Sequence, residues 1–471
     1  MKSEFWFIVG SVEFYGKETL SQVKAHAEEM VDYWNKNKSF EFPVKLKELG
    51  ISSKNIEDLV LEANYRKEVK GLIFWMHTFS PAKSWVRGLK KIQKPMLHLA
   101  TQFNQELPWK TIDMDFMNLN QSAHGDREFS FINMRLNLKN KIVVGYWQDK
   151  SVIDKVNHWM QVAETTAVSE NIRIARFGDN MRNVADTEGD KVSALIDLGW
   201  EVDYYGVGDL VTEMEMVTKE EIDNVYQEYL LEYEVEEEDL KSDYFIEHTK
   251  EQAKMEIALE NFLTKYNYQG FTSNFEDLHG LKQLPGLAVQ RLMAKGYGFA
   301  GEGDWKTAAL TYLLKHLAKN DQTGFMEDYT YNLMNGDQYI MGAHMLEVDP
   351  VLASEKPLLK VAPLGIGGKE DPARVVFGGK AGKGTVACMV HTGTEYEVII
   401  NEVEAIECKA SDSPNLPVAC VLWKPLPSFE QGVQKWLEAG GGHHTVYSLS
   451  LTSEQITDLC DLLNIKWTLI K

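Results

Sequence analysis

The feature that most limits the fold is a set of short apolar runs in the first half of the chain. They lie at residues 5–10, 71–76, 141–147 and 172–177, and each leads into a loop of small or polar residues. A strand that stays apolar without alternation is covered on both faces, the situation of strands in parallel α/β sheets. The stretch after the first run carries Leu20, Val23, Met30, Val31 and Trp34, mostly at helical spacing. It supplies the crossover that parallel neighbours require. Open parallel sheets bind ligands beyond the carboxyl ends of their strands. The loops Gly10-Ser11, His77-Thr78-Phe79-Ser80-Pro81 and Gly178-Asp179-Asn180-Met181 therefore stand where ligands sit.

From about residue 359 the pattern changes to short segments broken by glycines: residues 374–377, a turn at Gly378-Gly379-Lys380-Ala381-Gly382, then 385–391 and 395–406. Partial alternation and hairpin-like spacing predict antiparallel sheet, with a barrel as its closed form. Residues 226–250 form an acidic stretch with no useful apolar face, which predicts a solvated helix surface or a linker. After Asp304-Trp305 the residues Leu310, Leu313, Leu314 and Leu317 share a stripe, predicting a helix that ends near Lys319-Asn320.

At 471 residues the chain exceeds one ordinary core, so two or three domains are expected. A formal charge of −21 excludes partners that reward clustered Lys and Arg, namely nucleic acids and anionic membranes. Cys388, Cys408, Cys420 and Cys460 show no CxxC spacing and read as buried free thiols. No apolar stretch is long enough to span a membrane or to form a signal-peptide core, so the expectation is a cytoplasmic protein.

Two glutamates and two histidines suit neither a core nor a surface. They are Glu302 in Gly-Glu-Gly-Asp-Trp, Glu327 in Phe-Met-Glu-Asp-Tyr, His344 in Gly-Ala-His-Met and His444 in Gly-Gly-Gly-His-His-Thr. Two carboxylates and two imidazoles can hold one divalent ion and leave positions open for a substrate. Each also has a plainer reading: Glu327 beside Asp328 as a helix-start acid, His344 as a hydrogen-bonded core residue. Glu302 between two glycines, where backbone can take positive φ or approach a ligand, is harder to dismiss. So is the His443-His444 pair behind three glycines. No short motif of the HExxH type joins the four. An enzyme is the leading reading.

Longer blocks carry a resemblance. They include Trp75-Met-His-Thr-Phe-Ser-Pro-Ala-Lys83, Met117-Asn-Leu-Asn-Gln-Ser-Ala-His-Gly125, Arg176-Phe-Gly-Asp-Asn-Met-Arg182, Phe275-Glu-Asp-Leu-His-Gly280, Leu284-Pro-Gly-Leu-Ala-Val-Gln-Arg291, Gly301-Glu-Gly-Asp-Trp-Lys306, Phe325-Met-Glu-Asp-Tyr-Thr330 and Gly440-Gly-Gly-His-His-Thr445. In this order, over essentially the whole chain, they resemble the bacterial L-arabinose isomerase family. The resemblance implies an aldose–ketose isomerase that interconverts L-arabinose and L-ribulose, often accepting D-galactose to give D-tagatose. It implies Mn2+ held by Glu302, Glu327, His344 and His444, with the two glutamates as the acid–base pair. A sugar pocket is implied at Phe79, Gln121, His124, Met181, Phe275 and His443. The family architecture is two Rossmann-like parallel α/β domains followed by a C-terminal antiparallel β-barrel domain, here 1–171, 172–322 and 323–471. Hexamers are implied, with each site completed by a neighbouring subunit's N-terminal domain.

The chain departs from the family's pattern in places. Val12 stands where a substrate-facing Gln is usual, and Phe14 where Leu is frequent. Asp186 puts an acid where an apolar residue is usual, close to the Met181 segment. These changes bear on sugar preference more than on the metal. They keep two alternatives in view, a related isomerase preferring another aldose and a non-catalytic metal- or sugar-binding homologue.

Overall fold

The computed structural model describes residues 2–471; Met1, the first residue of the expected N-terminal domain, lies outside them. The chain divides into two compact units, Met1–Ala167 and Val168–Lys471. Among the described residues no helix is long and apolar enough to cross a membrane.

The first unit is built on strands β1 (Glu4–Gly10), β2 (Val44–Leu46), β3 (Val69–Met76), β4 (Met96–Ala100) and β5 (Lys141–Val144). All pair in parallel, in the order β2-β1-β3-β4-β5. Every residue of β1 is buried, as its unbroken apolar run predicts, whereas the edge strand β5 is half exposed. Phe7 stacks on Trp75, and Phe74 meets Trp85 edge to face, so aromatic rings fill both sides of the sheet. Burying one large apolar side chain of this kind contributes about 1.5–3 kcal/mol. The order reverses between β1 and β3, the switch point at which doubly wound sheets open a crevice. The loops after these two strands meet there, with the Thr78 hydroxyl donating to Ser11 Oγ at 2.8 Å.

The second unit begins with a parallel sheet in the order β7-β6-β8-β9, formed by β6 (Arg173–Phe177), β7 (Glu201–Tyr205), β8 (Gly270–Ser273) and β9 (Gly298–Ala300). The helix Trp305–Leu317 follows β9, its start capped by Asp304, whose carboxylate accepts from the Thr307 N–H. It is buried on nearly all sides and packs against strands of both sheets of this unit. Lys319 and Asn320 take left-handed conformations beyond its end, where the sequence places the stop.

The remaining strands are β10 (Thr323–Asn332), β11 (Tyr339–Ala343), β12 (Leu358–Val361), β13 (Ala373–Val376), β14 (Gly382–His391), β15 (Tyr396–Ile406), β16 (Cys420–Pro425), β17 (His444–Ser448) and β18 (Lys466–Ile470). β12 and β13 pair with each other, and the rest form one sheet, β14-β17-β10-β11-β16-β15-β18. An additional β14–β15 pairing joins the strands into a ring. The sheet is mixed, which corrects the expectation of an antiparallel one. β16 takes one half of the second edge of β15, at residues 403–406, leaving 397–401 open. β18, arriving after the helix Ser453–Leu463, fills that half in parallel.

The acidic stretch also differs from expectation. Helices Lys219–Glu232 and Asp243–Tyr266 take in its two ends, and Tyr226, Tyr229 and Tyr233 are buried. Tyrosines every three or four residues supply the apolar face that the charge pattern hides.

Candidate active site

Strand register decides the site. Glu327 on β10 lies directly across from His444 on β17 and, on its other side, from Ala343 on β11. Residues opposite one another in a pleated pair project from the same face. His344 lies just past the end of β11, where the strand's alternation has stopped, and its ring centroid is 5.8 Å from that of His444.

Glu302 comes from the other sheet of this unit, on the turn between β9 and the helix Trp305–Leu317. It takes a left-handed conformation (φ 60°), and Gly303 continues it (φ 78°). Such a conformation costs a non-glycine residue about 1–3 kcal/mol and persists only where the surroundings enforce it. Here the Glu302 carbonyl accepts from the Met181 N–H at 2.9 Å. A Cβ on Gly301 would lie 2.7 Å from His344 Nε2, and one on Gly303 would strike the backbone of Asp179 and Asn180. The two glycines are what let Glu302 come this close.

Each imidazole is held from behind by a carboxylate. His344 Nδ1 bonds Glu347 at 2.5 Å, His444 Nδ1 bonds Asp304 at 3.1 Å, and His443 Nδ1 bonds Asp186 at 2.6 Å. The far nitrogens, Nε2 of His344 and of His444, are buried and have no hydrogen-bond partner. Leaving a buried polar atom unpaired costs about 1–3 kcal/mol. A cation coordinated by both nitrogens removes that cost, and carboxylate-backed imidazoles are the usual support of metal ligands. The rings stand 5.8 Å apart, with Phe325 against both. Among the described residues, ligand atoms of Glu302, His443 and His444 all lie within 4.8 Å of one another, a cluster that takes in His443, expected to bind sugar, and leaves out Glu327 and His344. The residues present therefore fit a divalent ion.

Burial and charge push the carboxyls apart. Burial raises Glu302, but the His443 hydrogen bond and the nearby imidazoles outweigh it and hold the group below its ordinary value. Burial also raises Glu327, and there it prevails over the pull of His344 and His443. Burial pushes half-buried Asp328 up to about 7 despite the hydrogen bond from Thr445. Asp304 is more fully buried, yet Lys306 and His444 bring it to about 2. For His443, burial is overcome by Asp186 and Glu302, which raise it to about 10.

The other expected site residues fall into two places. Phe275 joins Glu302 and His344 in lining a small cavity of ≈ 20 Å3, and Met181 reaches the site through its bond to Glu302. Phe79, Gln121 and His124 cluster in the first unit, with the Phe79 and His124 rings 4.6 Å apart and Gln121 accepting from the Tyr15 hydroxyl at 2.7 Å. Val12 precedes a short turn, Glu13–Tyr15, and the exposed Phe14 stacks on Tyr15. Sequence reasoning missed Asp304 and Glu347, the supports of His444 and His344. A signal existed for both: Asp304 immediately precedes a predicted helix, and Glu347 follows His344 by three residues.

Comparison with known proteins identifies the chain. Residues 1–171 match the L-arabinose isomerase N-terminal domain, 173–320 the L-arabinose isomerase central domain and 322–466 the L-arabinose isomerase C-terminal domain. The chain belongs to the L-arabinose isomerase family. It is 57% identical over 470 residues to L-arabinose isomerase 2 of Bacillus licheniformis, covering 100% of this chain and 99% of that one. L-arabinose isomerase 1 of Clostridium acetobutylicum is 56% identical over 469 residues, covering 100% and 96%. L-arabinose isomerase of Oceanobacillus iheyensis is 56% identical over 470 residues, covering 100% and 99%.

Proposed function

We propose that this chain is an aldose–ketose isomerase that interconverts L-arabinose and L-ribulose, with D-galactose as a second substrate giving D-tagatose. The observation that carries the reading is the pair of unpartnered, carboxylate-backed nitrogens of His344 and His444 beside Glu302 and Glu327. These four residues hold one divalent cation, Mn2+. When bound, it supplies positive charge where O1 and O2 of the sugar become negative during isomerisation.

The chain's own residues do the remaining work. The reaction moves a proton between C1 and C2 and another between O1 and O2, through a cis-enediol. Glu302 and Glu327 form the acid–base pair, one of them lifting the carbon proton and returning it to the neighbouring carbon while the other serves the oxygens. A carboxylate has lone pairs enough to hold a cation and still accept a proton. Half-exposed His443 bonds a sugar hydroxyl, and Met181 and Phe275 wall the carbon chain. Phe79, Gln121 and His124 belong to the sugar pocket, supplied by the N-terminal domain of a neighbouring subunit in a hexamer. The three-domain division 1–171, 172–322 and 323–471 is retained, with the ring of strands as a barrel, and the setting is cytoplasmic.

The test is isomerisation of L-arabinose and D-galactose by purified protein stripped with a chelator and then given Mn2+, with Glu302→Ala alongside. Ketose formation that needs Mn2+ and vanishes in the variant is the expected outcome. Tight Mn2+ binding without turnover of either sugar would refute the reading. A second reading, preference for another aldose such as L-fucose, is favoured by Val12, whose side chain offers no hydrogen bond in the loop that carries Tyr15. A substrate panel separates the two.

A further inference from the structure

We propose that Asp186 is the positioning residue that fixes the ring of His443, and that it acts on the sugar through that ring rather than on the cation. The inference rests on the reading of the Glu302–His444 region as the sugar site. One carboxylate oxygen, Oδ2, accepts both the main-chain N–H of His443 at 3.1 Å and its ring Nδ1 at 2.6 Å. Two bonds to one atom fix the backbone and the ring together. A carboxylate has no proton to give, so Nδ1 carries the hydrogen and Nε2 is left on the side of Glu302. That nitrogen lies 3.4 Å from Glu302 Oε2.

The neighbourhood is arranged to admit this carboxylate. A Cβ on Gly442 would stand 3.2 Å from Oδ2, so any larger residue there would crowd the approach. The Asp186 carbonyl accepts from buried Lys306 Nζ at 2.5 Å, and Lys306 also bonds Asp304, the support of His444. The two adjacent histidines thus hang from one polar network but meet different surroundings. The His443 side chain is 28% exposed, whereas that of His444 is 2% exposed. Both rings stand in one cluster with Glu302, but only the more open one can also be reached by a sugar hydroxyl. Asp186 itself is 35% exposed, so its removal opens no core cavity.

A double-mutant cycle tests the proposal, using Asp186→Ala, His443→Ala and both together, with Asp186→Asn as the conservative variant. The readouts are kcat and KM for L-arabinose and Mn2+ affinity by calorimetry. Outer supports of this kind alter activity by about 10–100-fold, the loss expected for Asp186→Ala. Asp186→Asn, which keeps an acceptor, recovers most of it. In the His443→Ala background Asp186→Ala costs nothing further, the signature of groups acting as one unit. Mn2+ affinity stays within about threefold of wild type throughout, far short of the 10–100-fold change that follows loss of a ligand's support. Full activity in Asp186→Ala, losses that multiply, or Mn2+ affinity falling in step with activity would each overturn the proposal. If His443→Ala alone keeps wild-type kcat/KM, the reading of the site fails instead, a result distinct from the others.

Discussion

Two groups of buried and half-buried histidines, one in each unit, use the same side chain in opposite ways. In the first unit His77 stacks on Trp75 and bonds through Nε2 to Nδ1 of His26 at 2.8 Å. Burial and the second imidazole push it down to about 3, so it is neutral at any ordinary pH. In the second unit His344, His443 and His444 are each backed by a carboxylate. Both groups leave ring nitrogens unpaired, Nδ1 of His77 as well as Nε2 of His344 and His444. An orphaned nitrogen alone therefore does not mark a ligand. An unpaired nitrogen with a carboxylate on the far one does, because the carboxylate fixes the tautomer and raises basicity toward a cation; His443 is backed in the same way, but its Nε2 has Glu302 at 3.4 Å. His98 completes the comparison: it has Asp126 at 2.8 Å, but Ser130 takes its second nitrogen, and nothing is left to offer.

The comparison can be broken most decisively at the carboxylates themselves. Glu302→Ala or Glu327→Ala is expected to lower kcat by about 10²–10⁴-fold with the circular dichroism spectrum unchanged. Asp304→Asn and Glu347→Gln are expected to weaken Mn2+ binding by about 10–100-fold in calorimetry. Asp126→Asn, which removes the same kind of support from His98, is expected to leave Mn2+ affinity untouched; equal weakening by all three would erase the distinction drawn here.

Metal removal sharpens the contrast between units. Saturation at a hundred times Kd stabilises a folded protein by about 2.7 kcal/mol, which chelation forfeits. Faster hydrogen exchange should then appear in β10, β11 and β17 and not in β1 or β3. The smallest effect concerns acid. The unfolded-state value for His77 is near 6.5 and the folded value about 3, so between them the unfolded chain binds a proton that the native one refuses. Stability therefore falls as pH drops through this window, with a slope of up to about 1.4 kcal/mol per unit. His77→Phe should flatten that part of the slope in urea titrations at pH 7 and pH 5.

How much of this was legible depended on whether the signal was local. β1, β3, β5 and β6 announce themselves as apolar runs. β4 does not, because His98 interrupts it, and β2 is only three residues long. Glu302 and the histidine pair are legible through their glycines, whose absence of side chain is itself the clue. The glycine at 301 is spent on the approach of His344, a contact no spacing rule encodes. β10 reads poorly because its inner half is buried and its outer half exposed, so neither period holds throughout. The roles of Asp304 and Glu347 depend on which nitrogen they face, which only the folded ring of strands decides.

The placement of the proposed acid–base pair also has a bearing on heredity. Glu302 lies within the segment matched by the family's central domain, while Glu327, His344 and His444 lie within the C-terminal one. A crossover between two relatives near residue 321 would give offspring a glutamate from one parent and its partner from the other, set at a distance neither lineage had selected. If the proposed site is right, the segments 173–320 and 322–466 have to be inherited together for its four residues to keep their spacing.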